Sequence, residues 1–159
     1  MLTDEKLWHY SNLNFKFDPN RKYEQGGNPC KPNGIWFSLS DDWEIWCREN
    51  EYHIENLATR SLVTIIDFSN ILIIKDIEDL FSFIDEFYRP VKSKLYSKLD
   101  WNAVAKKHSG LILPDYYNLN NARYANGPDL GTIWVSTWDV PSGCIWDLSV
   151  LMVSEPEVT

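Results

Sequence analysis

The stretch LWHYS, residues 7–11, places an imidazole between an indole and a phenol on the first apolar run of the chain. Side chains alternate across a β-strand, so Leu7 and His9 would share one face and Trp8 and Tyr10 the other. Packing at the edge of a sheet could account for all of these residues. A nucleotide site would use the same types, because it needs flat stacking surfaces with hydrogen-bonding tips.

The rest of the chain predicts an α+β domain of short strands, two or three helices and long loops. A second strand, GIWFSLS (34–40), follows a loop rich in proline and glycine, and further apolar strands run from Leu62 to Phe68 and from Ile71. Helices are predicted where apolar residues recur three and four positions apart. They are DDWEIWCREN (41–50), DIEDLFSFIDEFYRP (76–90) with Asp76 as N-cap and Pro90 at its end, and DWNAVAKKHSG (100–110) with Asp100 as N-cap.

The C-terminal third of the chain is predicted to be a polar loop followed by two strands. YYNLNNARYANGPDLG (116–131) is rich in asparagine and shows no period, so we expect a functional loop there. TIWVSTWDV (132–140) and CIWDLSVLMV (144–153) would form strands around a turn at Pro141-Ser142-Gly143.

Length and charge restrict the class of protein. A chain of 159 residues favours one domain, assigned to residues 1–153, with SEPEVT (154–159) as a frayed acidic tail. The net charge of −8 makes nucleic acid a less favoured partner, since such binding usually needs a basic surface. No apolar run approaches the ~20 residues of a membrane span, and the acidic N-terminus does not resemble a signal peptide. We therefore expect a cytoplasmic protein with no membrane partner.

Metal-binding side chains are few, whereas tryptophan is abundant. Three cysteines and three histidines lack the spacing of a zinc site, so no metal site is predicted. The large rings suit either a hydrophobic core or a pocket that holds a flat ligand. Six of the eight tryptophans fall in two clusters: Trp36, Trp43 and Trp46, and Trp134, Trp138 and Trp146.

Three short segments, taken in order, resemble the ADP-ribosyltransferase superfamily, and in particular its poly(ADP-ribose) polymerase branch. LWHYS (7–11) is similar to the first motif of that branch, LWHGS. NGIWFS (33–38) is similar to the second motif, KGIYFA, and SDDWEIWC (40–47) to the helix that follows it. CIWD (144–147) is similar to the end of the third motif, EYIVYD. The resemblance implies a transferase-like split β-sheet core with two or three flanking helices, and NAD as substrate.

The resemblance also implies a role for each matching residue. His9 would hold the adenosine-side ribose of NAD, while Tyr10 and Ser11 would line the nicotinamide end. Trp36 and Trp46 would stack on the two faces of the nicotinamide, whose plane and cationic charge both suit indole rings. The residues expected to bind NAD, including a glycine for close backbone approach, are His9, Tyr10, Ser11, Gly34, Trp36, Phe37, Ser38 and Trp46, and the catalytic candidates are His9, Trp36 and Ser142.

The chain departs from the family's motifs at three positions. Tyr10 replaces a glycine, which would narrow part of the pocket, and Trp36 replaces a tyrosine, which removes a phenol. In the third motif Ser142 or Gly143 takes the position of a glutamate that positions the ribose and helps to activate the acceptor in the family. Neither residue can act as a carboxylate, so the third motif lacks its acid.

The missing glutamate leaves more than one function open. The first is transfer of ADP-ribose to a protein, for which Asp139 or Asp147 could supply the acid only if the strand register differs. The second is a degenerate module that binds NAD, ADP-ribose or a partner protein without turnover. The third is a carbohydrate or peptide binder, which would expose Trp134 and Trp138 on a flat face.

Sequence context favours structural roles for several other residues. Trp43 lies on the apolar stripe of its helix and is predicted to belong to the core, while Arg21 and Lys31 are predicted to be solvated loop charges. The acidic balance favours a protein acceptor, and the asparagine-rich residues 117–127 are the candidate segment for recognising it. An effector of this kind would act inside a host cell.

Overall fold

The computed structural model describes residues 2–89, 98–127 and 130–159, and within these ranges the fold is a mixed α+β one, as predicted. Pro90, the predicted end of the second helix, lies outside these ranges. The strands are β1 Leu7–Ser11, β2 Ile35–Leu39, β3 Thr59–Ile65, β4 Ile71–Ile73, β5 Tyr88–Arg89, β6 Lys98–Leu99, β7 Gly110–Leu113, β8 Ser142–Ile145, β9 Leu151–Val153 and β10 Glu157–Val158.

The helices predicted from periodicity are present, and two of them begin at the predicted caps. They are α1 Asp42–Glu49, α2 Ile77–Phe87 and α3 Trp101–Lys107. The Asp76 carboxylate accepts a hydrogen bond from the backbone N–H of Asp79 at 2.9 Å, and Asp100 accepts one from Ala103 at 3.0 Å. Each cap satisfies a backbone donor that the first helical turn leaves without an intrahelical partner.

A fourth helix, α4, spans Tyr116–Ala125, so the prediction of a loop there is wrong. Asparagine is a poor helix former, and the segment has weak periodicity. Its buried residues Tyr116, Leu119 and Arg123 lie three and four positions apart and share one helical face. Tertiary packing of that face stabilises a helix that intrinsic propensity does not favour.

The strand predicted at 132–140 is also wrong, because Ile133–Thr137 forms a 3-10 helix. The predicted turn at 141–143 is replaced by β8, which begins at Ser142 and ends at Ile145. The remainder of the predicted last strand divides into a 3-10 helix, Leu148–Val150, and β9. Aromatic and β-branched residues favour strands, but here burial of the tryptophans in a helical turn prevails over that preference.

The described strands form a main sheet in the order β10-β3-β1-β2-β8-β7-β4, with β9 also paired to β3. Neighbours are antiparallel except for the parallel pair β4 and β7, while β5 and β6 form a separate antiparallel pair. Glu157 and Val158 pair with Arg60 and Thr59 of β3, so the acidic tail is attached to the sheet rather than frayed. The third strand of the sheet begins at Thr59, three residues earlier than predicted.

Hydrophobic cores cover both faces of the sheet. One contains Leu7, Phe37, Val63 and Ile145 together with residues of the 3-10 helix Leu148–Val150 and of β9. The other packs α2, α3 and α4 around tryptophans, including Trp134 and Trp138, which are each only 2% exposed. No helix in the described ranges is long and apolar enough to cross a membrane.

Candidate functional site

A cavity of about 780 Å³ lies where β1, β2 and α1 meet the segment between β1 and β2. Its size is typical of small-molecule sites, which range over roughly 300–1,000 Å³. Many of the described residues that line it are aromatic. They are Trp8, His9, Tyr10, Phe15, Trp36, Phe37, Trp43, Tyr52, His53 and Trp138.

Divergence of β1 from β2 opens the sheet beside this cavity. The two strands pair only at Leu7 with Leu39 and at Trp8 with Ser38. In a continued antiparallel register the next pair would be His9 and Phe37, but the ladder has ended there. β1 remains paired with β3 along its whole length, and β2 remains paired with β8 over residues 35–38, so the sheet divides between β1 and β2. The gap exposes the end of the first motif to the cavity.

The His9 side chain crosses this gap. Its Nδ1 lies 2.6 Å from the carbonyl oxygen of Trp36, which can only accept, so Nδ1 carries the hydrogen. Burial lowers the pKa of His9, although the bond to Trp36 offsets part of that shift. The ring is therefore neutral at pH 7, and Nε2 presents a lone pair. Phe15 packs against the imidazole at a centroid distance of 4.5 Å, which fixes its orientation.

Trp36 forms part of the cavity wall with its ring held on several sides. Its Nε1 donates to the carbonyl of Pro32 at 3.1 Å, and Trp138 packs edge-on at 4.6 Å between centroids. The ammonium of Lys31 lies 5.6 Å from the ring centroid. Trp36 thus lines the cavity, and its contact with a ligand stays a prediction.

The helix α1 contributes Trp43, not the predicted Trp46, to the cavity wall. Trp43 and Cys47, four positions apart, share the helical face that meets the cavity. Trp46 stacks behind Trp43 with centroids 5.2 Å apart and planes inclined by 9°. The expected sandwich of Trp36 and Trp46 is therefore corrected to a pair of cavity-lining indoles, Trp36 and Trp43.

The cavity is cationic although the chain is acidic. Lys16, Arg21 and Lys31 line it, and none of the described lining residues is an aspartate or glutamate. Arg21 is exposed, as predicted for a solvated loop charge, and Lys31 is half-buried, but both side chains also line the cavity. Basic side chains along a concave wall favour an anionic ligand, because low-dielectric surroundings strengthen their field.

The hydroxyls of the predicted site are engaged with the protein itself. Ser11 and Thr59 hydroxyls lie 2.9 Å apart, and the Ser38 hydroxyl donates to the carbonyl of Ser40 at 3.2 Å. Ser142 faces Ser38 across the β2–β8 pair, and its hydroxyl donates to the carbonyl of Val140 at 2.9 Å. All three serines line the cavity, although each is at most 9% exposed.

Gly34 does not line the cavity, which corrects its predicted contact with a ligand. A Cβ added at this position would lie 2.5 Å from the carbonyl oxygen of Ile145. Glycine is needed there because β8 passes so close to the backbone of the second motif. Its role in the structure is therefore to pack one strand against another.

Neither aspartate near the third motif lines the cavity. Asp147 caps the 3-10 helix that follows β8, where its carboxylate accepts from the backbone N–H of Ser149 at 3.1 Å. Asp139 lies between the lining residues Trp138 and Val140, and its φ of 67° is in the left-handed region. Burial raises the pKa of Asp139, and the charge of Lys31 opposes that shift.

Several cavity residues carry no local signal in the sequence. Phe15 and Lys16 lie in an irregular segment and Asn56 in the 3-10 helix Ile54–Leu57, and only the tertiary fold brings them beside β1. Within the described part of the chain, no group of three metal-binding side chains could hold a metal ion. The buried positions of Trp134 and Trp138 contradict the flat exposed face that a carbohydrate binder would need.

Comparisons with protein-family models, with curated proteins and with solved structures found no match to this chain.

Proposed function

We propose that the cavity binds NAD and that the protein transfers ADP-ribose to a protein acceptor, with release of nicotinamide. The observation that carries the proposal is the composition of the cavity. It combines aromatic rings with Lys16, Arg21 and Lys31 and, among its described lining residues, contains no carboxylate. A dinucleotide has flat ends and a dianionic centre, so it matches both properties of this wall.

Each part of the wall would hold a different part of the substrate. The indoles of Trp36 and Trp43 would contact the nicotinamide, whose cationic ring is favoured over a π face. The side chains of Arg21 and Lys31 would neutralise the pyrophosphate. The neutral His9 would accept a hydrogen bond from a ribose hydroxyl at Nε2, because Nδ1 already donates to Trp36.

Transfer breaks the bond between the nicotinamide nitrogen and the ribose carbon, and the electron pair leaves with nicotinamide. The acceptor then forms a new bond to that carbon and loses a proton to solvent. Charge develops on the ribose as in glycoside hydrolysis, so fixed contacts to the ribose are important. The chain's own contribution is to orient the two ends of the substrate with rigid aromatic walls.

A second function, binding without transfer, is favoured by the surroundings of Ser142. Its hydroxyl is bonded to Val140, and no described residue of the cavity wall supplies a carboxylate in its place. A recognition module for NAD or ADP-ribose would need the same rings and cations but no acid. The two functions differ in turnover and not in the ligand.

Calorimetric titration with NAD tests the binding step that both functions share. Lys31→Ala should raise the Kd at least about tenfold, or ~1.4 kcal/mol, because a cation beside the pyrophosphate is lost. Lys22→Ala is the matched control, since Lys22 is an exposed base in the same segment that does not line the cavity. Absence of binding by the folded wild-type protein, or equal effects of the two substitutions, would contradict the proposal.

Nicotinamide release separates transfer from binding alone. The wild-type protein would be incubated with NAD labelled on the adenosine side and with a protein extract. Labelled protein together with free nicotinamide supports the transferase. Saturable binding with neither product supports the recognition module instead.

A further inference from the structure

The outer face of α1 carries large side chains that the described part of the fold leaves partly uncovered. Ile45 is 52% exposed and Tyr52 is 45% exposed. Trp46 is half-buried, with Trp43 stacked on its ring and Tyr52 edge-on at 5.3 Å. We call Ile45, Trp46 and Tyr52 the α1 face.

Acidic side chains of α1 lie on the same side of the helix as its exposed apolar side chains. On a helix that turns 100° per residue, Asp42, Ile45, Trp46 and Glu49 occupy one continuous arc. The acids and the apolar side chains consequently share one surface.

The α1 face is also strongly acidic. Residues 41–57 contain six carboxylates and one arginine, in a chain with a net charge of −8. Two of the acids pair with arginine, Glu44 with Arg48 at 2.8 Å and Asp41 with Arg60 at 3.6 Å, and Glu55 lies 2.9 Å from the imidazole of His53. Within residues 2–89, 98–127 and 130–159, by contrast, no ion pair is formed by Asp42, Glu49 or Glu51.

We propose that the α1 face, with the carboxylates of Asp42, Glu49 and Glu51, docks an arginine-rich segment of a partner protein. A guanidinium group can stack flat on an indole or phenol while it donates to a carboxylate. The same negative charge disfavours a nucleic-acid partner. A purely apolar partner would have to desolvate three carboxylates without pairing them, at a cost in binding free energy.

The docked segment would lie at the mouth of the cavity. Tyr52 belongs to the α1 face and also lines the cavity, so the two surfaces are continuous. Lys16, Arg21 and Lys31, which also line the cavity, carry the reverse charge. Docking itself requires no NAD, and the proposal therefore stands apart from the proposed transfer.

Fluorescence anisotropy with a labelled peptide of alternating arginine and glycine tests the proposal on the full chain. The double substitution Glu49→Lys/Glu51→Lys should weaken binding at least about tenfold, since two attractive charges become repulsive. The matched control is Glu78→Lys/Asp85→Lys, which changes the net charge equally on the exposed surface of α2. The control should change the Kd by less than about twofold, because neither residue belongs to the α1 face and salt screens exposed charges that do not contact the peptide.

A second variant tests the apolar part of the surface. Ile45→Ser removes an exposed side chain that does not support the core, so the fold should persist while peptide affinity falls. Equal losses in the two charge variants, or equal affinity for a peptide of alternating glutamate and glycine, would overturn the proposal. So would absence of saturable binding by the folded wild-type protein. Calorimetry with NAD on the same samples reports the cavity separately, because Ile45, Glu49 and Glu51 do not line it.

Discussion

The tautomer and charge of His9 determine how stability should change with pH. Burial holds the pKa of the folded-state imidazole below its usual 6.5. The unfolded chain therefore binds a proton at a pH where the folded chain does not, and the free energy of unfolding should fall as the pH drops below about 6.5. Protonation of the folded protein would also remove the lone pair at Nε2, so NAD affinity should fall only at the lower pH at which the folded-state imidazole titrates.

His9→Gln isolates this contribution, since glutamine does not titrate and its amide can still donate to the Trp36 carbonyl. Urea unfolding at pH 7 and at mildly acidic pH would show a steeper loss of stability in the wild-type protein than in the variant. His108 has a pKa that burial also lowers, and its effect cancels in the comparison. Parallel pH profiles for the two proteins would refute the assignment.

Gly34 is a strand-packing residue, and substitution at this position should cost stability. A Cβ would approach the Ile145 carbonyl to 2.5 Å, and backbone cannot yield as a flexible side chain can. We expect Gly34→Ala to lower the free energy of unfolding by ~1–3 kcal/mol, the usual range for overpacking. Chemical denaturation measures the loss.

Gly27→Ala provides the control for Gly34, because nothing lies within 4 Å of the Cβ it would add. Its expected effect is within about 0.5 kcal/mol of zero, as for most surface substitutions. If both variants were as stable as the wild-type protein, β8 could not lie as close to Gly34 as described.

At the scale of elements, the caps of α2 and α4 should differ in strength. Asp76 bonds to the backbone N–H of Asp79, whereas Asp115, at the N-cap of α4, makes no such bond to the backbone. Asp76→Ala should therefore destabilise the protein by about 1 kcal/mol, and Asp115→Ala by clearly less. Thermal unfolding of the two variants checks the order, which would be reversed if α4 depended on its cap.

The helices also show where local sequence no longer predicts the secondary structure. α2 is strongly amphipathic and begins at a recognisable cap, so its period and its first residue were both predictable. α4 contains Asn118, Asn120 and Asn121 and is followed by Asn126, so its composition does not indicate a helix. Its buried face can be identified only from its packing in the tertiary structure. The 3-10 helix Ile133–Thr137 has the composition of a strand, and packing of Trp134 decides its conformation.

For the whole molecule, the reactivity of the three cysteines should report how well the fold excludes solvent from its interior. Cys30 is half-buried, while Cys47 and Cys144 are almost completely inaccessible. Burial, and secondarily the charge of Asp139, raises the pKa of Cys47 to about 11, and burial raises that of Cys144 as well. A thiol reagent should therefore react once with the native protein and three times with the unfolded one, because the thiolate is the nucleophile.

The rate at which the Cys47 thiol reacts should report on access to the cavity. Cys47 lines the cavity, so its reaction requires either entry through the cavity or opening of α1. Bound NAD should slow that reaction, whereas reaction at Cys144 should follow global unfolding. Equally fast labelling of all three thiols in the native state would contradict the burial described here.

The sequence by itself determined the α+β class, the positions of β1, β2 and the first three helices, and the caps of α2 and α3. Periodicity and capping are local properties, and they survive in any fold that buries the apolar face. The sequence also indicated His9, Trp36 and Ser142 as candidate site residues, and all three line one cavity. The ADP-ribosyltransferase assignment stays a prediction that the titration with NAD addresses.

Only the tertiary structure decided which side chains face that cavity. Trp43 and Trp46 are three positions apart, and the angle at which α1 meets the sheet selects the first for the wall. The basic residues Arg21 and Lys31 become part of the site because the segment between β1 and β2 folds over the diverging strands. These outcomes depend on contacts between distant parts of the chain, and local pattern carries no information about such contacts.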